Sequence, residues 1–226
     1  MRRQKSVYTI FSWVDGEEVE SILPKLKQKE QYDLGVKSGE ILRTLHTLPA
    51  PTGAREWYDR YFAVIDKRLD AYKTKGVLFD GNNVILDYIE NNRNLLKNRP
   101  QSRLHGDYHE GNLIISKDNT LSVIDWHFVD FENYGDPWYE FNRIGTNCPA
   151  FATGQIDGYF ANKIPDDFWK LLIFYHAVGA ITSIVWAKYF APERLDAILK
   201  MNTDILKWIN KDNPMPTWYL EKLDPA

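Results

Sequence analysis

Three oxygen-bearing side chains, Asp107, Asn112 and Asp125, sit close together in the chain, in a stretch where the pattern changes from helical to short strands. Residues 113–116 and 121–124 are strand candidates joined by Lys117-Asp118-Asn119-Thr120, a polar connection of hairpin length. Paired antiparallel with Ser116 facing Leu121, they set Leu113 opposite Ile124 and Asn112 opposite Asp125, so two oxygen donors meet at the open end. Asp107 precedes Asn112 by five residues across a loop holding Gly111 and can be held at that end too. Carboxylate and amide oxygens without a cysteine suit a hard cation; Mg²⁺ takes one or two protein carboxylates and fills its shell with substrate phosphates and water. The chemistry that follows is phosphoryl transfer.

Charge agrees with this. Residues 103–140 hold eight acidic side chains, Asp107, Glu110, Asp118, Asp125, Asp130, Glu132, Asp136 and Glu140, against Arg103 and Lys117. Such a cluster needs cations, whether metal ions, a cationic substrate or both. Over all 226 residues the formal charge is only −3, which offers no broad cationic footprint for nucleic acid. With 44% hydrophobic and 14% aromatic residues the chain can fill a core, and its single cysteine, Cys148, cannot form an internal disulfide. A lone thiol fits a reducing compartment, so the expected location is cytoplasmic.

The elements that position these residues are mainly helices. Leu34, Ile41, Leu42, Leu45 and Leu48 predict a helix over residues 32–48, ended by Pro49 and Pro51; others are expected at 57–71, 84–96, 167–189 and 193–210. Before residue 100 the one good strand is 7–14, closed by Asp15-Gly16. The uncharged run 171–187 reaches the lower edge of a membrane span, but it contains His176, Thr182 and Ser183 and reads as a bundle-core helix, so no membrane partner is expected.

His105-Gly106-Asp107-Tyr108-His109-Glu110-Gly111-Asn112, then Ile124-Asp125-Trp126, then Gly135-Asp136-Pro137, resembles the signature of the aminoglycoside phosphotransferase and choline kinase-like family, whose relatives include homoserine and fructosamine kinases. The match is best over 103–145 and extends by pattern from about Val7 to Asn210. The resemblance implies a protein-kinase-like fold, α+β and predominantly helical: a hinge strand and linker at 1–18, remnant of an N-terminal lobe, then a helical C-terminal lobe at 19–226 with catalytic loop and metal-binding hairpin at 103–140. It implies an ATP-dependent kinase, using ATP or another nucleoside triphosphate with Mg²⁺ and phosphorylating a hydroxyl of a small molecule. Position by position, Asp107 matches the catalytic aspartate, and Asn112 and Asp125 match the metal-binding positions. His105 matches the histidine that buttresses the loop, and Asp136 a scaffolding aspartate that can cap a helix before Pro137. Glu140 stands where the family often has aspartate, a departure expected to touch nothing chemical. Ser12 and Val14 fall where the hinge offers backbone groups to adenine.

One part of the pattern is missing. The hinge-like strand begins within ten residues of Met1, with no glycine-rich phosphate loop or strand lysine ahead of it. Three accounts are open: a fragment, a separate chain supplying the N-terminal lobe, or a non-catalytic kinase-like binding module. Another function class, a His/Asp metallohydrolase, can be drawn from His105, Asp107, His109, Asp125 and His127, although Gly106 and Gly111 argue against the helix on which an H-x-x-x-H pair would bind zinc. Glu132, Tyr134, Trp138 and Tyr139 are acceptor-site candidates by proximity alone.

Overall fold

A computed structural model describes residues 12–126, 133–145, 148–209 and 215–221. In chain order these form β1 (Glu17–Glu18), α1 (Val19–Ile22), α2 (Gln28–Leu45), α3 (Trp57–Lys75), α4 (Asn82–Asn92), β2 (Ser102–Arg103), β3 (Leu113–Ile115), β4 (Leu121–Val123), β5 (Tyr134–Gly135), a 3₁₀ helix (Pro137–Arg143), α5 (Pro149–Phe160), α6 (Asp166–Phe190), α7 (Leu195–Ile209) and α8 (Thr217–Leu220). Two small antiparallel sheets, ordered β1-β3-β4 and β2-β5, lie at either end of the loop that carries Asp107.

The strand predicted at 7–14 falls mostly outside the described residues. Residues 7–11 lie outside the described residues, and Ser12 to Val14 belong to no strand. The first described strand follows Asp15-Gly16, where Gly16 (φ +154°) lets the backbone pass against Ile115 at a point where any Cβ would overlap its carbonyl. Glu17 and Glu18 then pair with Ile115 and Ile114. The helix expected from residue 32 starts one turn earlier, where the Glu30 carboxylate accepts the Lys27 N–H at 2.8 Å and satisfies a helix-start donor.

Helix α5 had no counterpart in the sequence reading. It is buried on nearly every side, so it has no polar face and no amphipathic stripe. It packs against α2 through glycines on both helices: a methyl at Gly35 or Gly39 would overlap the carbonyl oxygens of Phe151 or Gln155, and one at Gly154 or Gly158 those of Tyr32 or Val36. Backbone meets backbone, an approach that only small residues permit. Between the glycines, buried Ser38 accepts from Gln155 Nε2 at 3.0 Å.

Helix α6 is the one described helix long and apolar enough to cross a membrane, and most of it is buried inside the protein. Its Phe174 and Tyr175 pack on Tyr61 of α3. Tyr175 also accepts from Trp57 Nε1 at 2.8 Å and donates to Asp136 at 2.9 Å, so the aromatic core runs directly into the polar region around the site.

Burial holds two core histidines uncharged: His176 is lowered to about 4 and His46 to about 3. An unfolded histidine takes its proton near pH 6.5, so the stability that neutral burial confers is complete above that pH and is lost as pH falls toward 4. For His176 the window amounts to roughly 3 kcal/mol, at about 1.4 kcal/mol per pH unit. In urea unfolding, His176→Leu should therefore gain on the wild type by that amount between pH 7.5 and pH 4. Parallel stability curves would refute the assignment.

Candidate active site

The loop from Leu104 to Asn112 is fixed at both ends by strand pairing. At its start, Ser102 and Arg103 pair with Gly135 and Tyr134, and Leu104 N–H donates to Asn133 O at 2.9 Å. At its end, Leu113 enters β3. Within it Gly106 has φ +92°, a left-handed turn that a residue with a Cβ resists.

His105 is fully buried beneath this turn, and its two ring nitrogens are both committed. Nδ1 accepts the Asp107 N–H at 3.2 Å, which assigns the proton to Nε2, and Nε2 donates to Ile124 O at 2.9 Å. Burial lowers its pKa, favouring this neutral form. The ring also lies 4.8 Å from that of Trp126. His105 thus ties the loop to the end of β4, beside Asp125.

Asn112 is nearly buried and turns its Nδ2 back onto the carbonyl oxygen of Asp107 at 2.8 Å, with Asp107 Oδ2 at 3.5 Å. The structure thereby brings Asp107 and Asn112 together. Of the Asp107 carboxylate, Oδ1 is 2.6 Å from Arg143 Nη1 and Oδ2 is 3.6 Å from His109 Nε2.

The predicted hairpin register is wrong by one residue. Leu113, Ile114 and Ile115 pair with Val123, Ser122 and Leu121, so Asn112 faces Ile124, whose N–H donates to Asn112 O at 3.0 Å. The turn is shorter than expected: Ser116 N–H donates to Thr120 O at 3.0 Å, leaving a three-residue loop closed by Asn119 at φ +64°. Asp125 consequently lies one residue past the last pair, exposed and at φ +55°, a left-handed conformation that aspartate tolerates better than most residues.

The donor set fits a hard cation. With its amide nitrogen held by the Asp107 carbonyl, Asn112 has Oδ1 as its other end, and Asp125 makes no hydrogen bond or ion pair among the described residues. Both are oxygen ligands of the kind Mg²⁺ takes. No three of the His, Cys, Asp and Glu residues among those described cluster as a metal site, and His127 of the metallohydrolase constellation lies outside them.

Asp136 is fully buried and saturated: it accepts the Trp138 N–H at 3.0 Å, capping the 3₁₀ helix, and binds Arg99 Nε at 2.8 Å as well as the Tyr175 hydroxyl. That anchorage places Glu140, whose Oε1 accepts the N–H groups of His105 (2.5 Å) and Gly106 (2.9 Å). Burial pushes Glu140 up to about 7, partly offset by these donors and the Tyr108 N–H. Glu140, whose departure from the family's aspartate casts doubt on nothing chemical, holds the loop on which Asp107 stands. Tyr108 fastens the other side, donating to Ser38 O of α2 at 2.8 Å.

Ser12 is exposed and Val14 half-buried, both just ahead of β1 and with no described contact to the loop. Trp138 and Tyr139, offered as acceptor contacts, pack inward on Phe168 and on Trp57 and Tyr175. Tyr134 lies beneath Arg60, and Glu132 is outside the described residues. The Arg99–Asp136 pair, the Glu140 anchor and the Arg143 contact escaped sequence reasoning. Only the short spacing from Asp136 to Glu140 and Arg143 hinted that one element carries all three.

Solved structures that superpose on this chain include small-molecule kinases. A choline/ethanolamine kinase family protein from Mesorhizobium loti superposes with TM-score 0.57 at 18% identity, covering 77% of this chain and 64% of its own. Glucosamine kinase in complex with glucosamine, ADP and inorganic phosphate gives TM-score 0.62 at 15% identity, covering 84% and 59%. The complex of gentamicin with APH(2")-IIa gives 0.56 at 20%, covering 86% and 69%. The chain thus spans under two thirds of the length of the first two. No curated protein sequence matches it. At these identities the superpositions establish the fold, a kinase-like one. A sequence model of the phosphotransferase enzyme family matches residues 2–170, three quarters of the chain and the whole of the loop and hairpin just described, and the chain belongs to that family.

Proposed function

We propose that this chain transfers the γ-phosphoryl group of ATP, or of another nucleoside triphosphate, to a hydroxyl of a small molecule. The observation that carries the reading is the Asn112 amide folded onto the Asp107 carbonyl, which holds the two polar side chains next to each other on one loop. In the reaction the acceptor oxygen bonds to the γ-phosphorus, while the bond from phosphorus to the β,γ-bridging oxygen breaks and leaves its electron pair on the diphosphate. Asp107 orients the hydroxyl and accepts its proton. His105 cannot take that part, because one ring nitrogen is an acceptor for the Asp107 N–H and the other is already a donor. Asn112 Oδ1 and the Asp125 carboxylate would hold Mg²⁺. Held there, the ion would supply positive charge to offset that of the phosphates.

The acceptor class proposed is a hydroxylated small molecule, amino-bearing where it must meet the acidic excess of residues 103–140. Glucosamine and gentamicin in the related structures are of this kind. The test is release of the nucleoside diphosphate from MgATP across a panel of amino sugars, aminoglycosides and amino alcohols. Turnover with one of them supports the reading; neither turnover nor nucleotide binding supports the non-catalytic module instead. A second measurement concerns the metal. Asp125→Asn should raise the Mg²⁺ concentration needed for half-maximal rate by about tenfold or more, since even ligand-supporting residues are worth 10- to 100-fold in metal affinity. An unchanged Mg²⁺ dependence would remove Asp125 from the metal site.

A further inference from the structure

We infer that Arg143 is a further catalytic residue, an arginine supplied from within the chain that contacts the transferring phosphoryl group alongside Asp107. The inference rests on the phosphotransferase reading above and deepens it. Its geometric basis is the 2.6 Å contact between Arg143 Nη1 and Asp107 Oδ1, which puts the guanidinium beside the carboxylate that must meet the acceptor hydroxyl. The Arg143 side chain is 59% exposed, against 21% for Asp107, so the guanidinium keeps access to solvent beside the carboxylate. A guanidinium has five N–H donors in a planar fork, enough to hold one carboxylate oxygen and still offer a pair to phosphoryl oxygens.

The support behind Arg143 is stiff. It lies three residues after Glu140 on one 3₁₀ helix, and at three residues per turn the two side chains fall on the same face. Glu140 accepts from the backbone of His105 and Gly106 while Arg143 is ion-paired with the carboxylate of Asp107, so a single turn carries contacts to both the loop and its acid. The helix start is in turn pinned by buried Asp136.

The chemistry supplies a reason for a cation there. As the acceptor oxygen bonds to phosphorus and the bridging oxygen departs with its electron pair, negative charge spreads over the three equatorial phosphoryl oxygens next to the Asp107 carboxylate. Like charges so placed repel. A cation already paired with Asp107 offsets that repulsion without gaining or losing a proton, as arginines brought to phosphoryl transfer sites do elsewhere. A carboxylate has about four acceptor positions, so an arginine on Oδ1 and a hydroxyl can share it.

The test separates the phosphoryl contact from a merely structural ion pair. Calorimetric titrations would measure binding of Mg·ADP alone and of Mg·ADP with aluminium fluoride, which mimics the transferring group, to the wild-type chain, Arg143→Lys and Arg143→Gln. The expected result is an affinity for Mg·ADP within about twofold in all three, with aluminium fluoride tightening wild-type binding by about tenfold or more, Arg143→Lys less, and Arg143→Gln not at all. Full tightening in Arg143→Gln, or none in the wild type, would overturn the role of Arg143 while leaving the kinase reading in place. Failure of the wild type to bind Mg·ADP would overturn that reading and this inference together. Thermal unfolding of Arg143→Gln within a few degrees of wild type would show that the variant folds.

Discussion

Replacing Asp107 by Asn should lower the rate of phosphoryl transfer by about 10²- to 10⁴-fold, the usual worth of a positioned general base, and leave Mg·ATP binding within a few-fold of wild type. The substitution keeps the side chain's shape and the backbone carbonyl that holds Asn112, so the Asn112 side chain stays in place. What it removes is the negative charge proposed to accept the hydroxyl proton. It also strips Arg143 of its partner, but that side chain is more than half exposed and solvates readily, so the effect on stability should stay below about 1 kcal/mol. Steady-state rates with the best acceptor of the panel, together with a nucleotide titration, check both halves. A variant that keeps more than a tenth of the wild-type rate would show that the hydroxyl is activated elsewhere.

The second large effect concerns stability and reverses a common rule. Replacing glycine by alanine inside a helix ordinarily gains up to about 1 kcal/mol. At Gly39 or Gly154 the added methyl would overlap a backbone carbonyl of the facing helix, and backbone cannot swing aside as a side chain can. The helices would have to separate, and each alanine should destabilise the protein by about 3 kcal/mol or more, at the upper end of overpacking effects. For a chain of this size that is a fall of roughly 6–12 °C in melting temperature. Gly179 of α6 is the control: a Cβ built there meets nothing within 4 Å, so Gly179→Ala should be neutral or stabilising. Melting curves of the three variants decide the matter, and a tolerated alanine at Gly39 or Gly154 would mean that the helices are not in backbone contact.

The difference between those glycines is invisible along the chain. Gly39, Gly154 and Gly179 are equally glycines inside helical segments, and only the partner helix tells them apart. Helix α5 was missed for a related reason, because burial on all sides erases the periodic contrast on which sequence reading depends. The residues with chemical potential were legible because Asp107, Asn112 and Asp125 lie within one local motif whose composition already limits the reaction. Their arrangement was less so. A single left-handed residue, Asn119, shortened the hairpin loop and moved Asp125 off the position opposite Asn112. Glu140 and Arg143 reach the loop across some 35 residues of sequence, a distance over which neither charge pattern nor periodicity gives a signal.

The interlocked helices carry a practical corollary for anyone who would harden or diversify this protein. Tyr108, in the loop of Asp107, is bonded to Ser38, which sits between Gly35 and Gly39, so that loop inherits its placement from the close seam between α2 and α5. Random libraries will lose variants there first, and consensus-style exchange of helical glycines will lower the melting temperature. Improvement has to be sought at open positions such as Gly179, leaving the seam untouched.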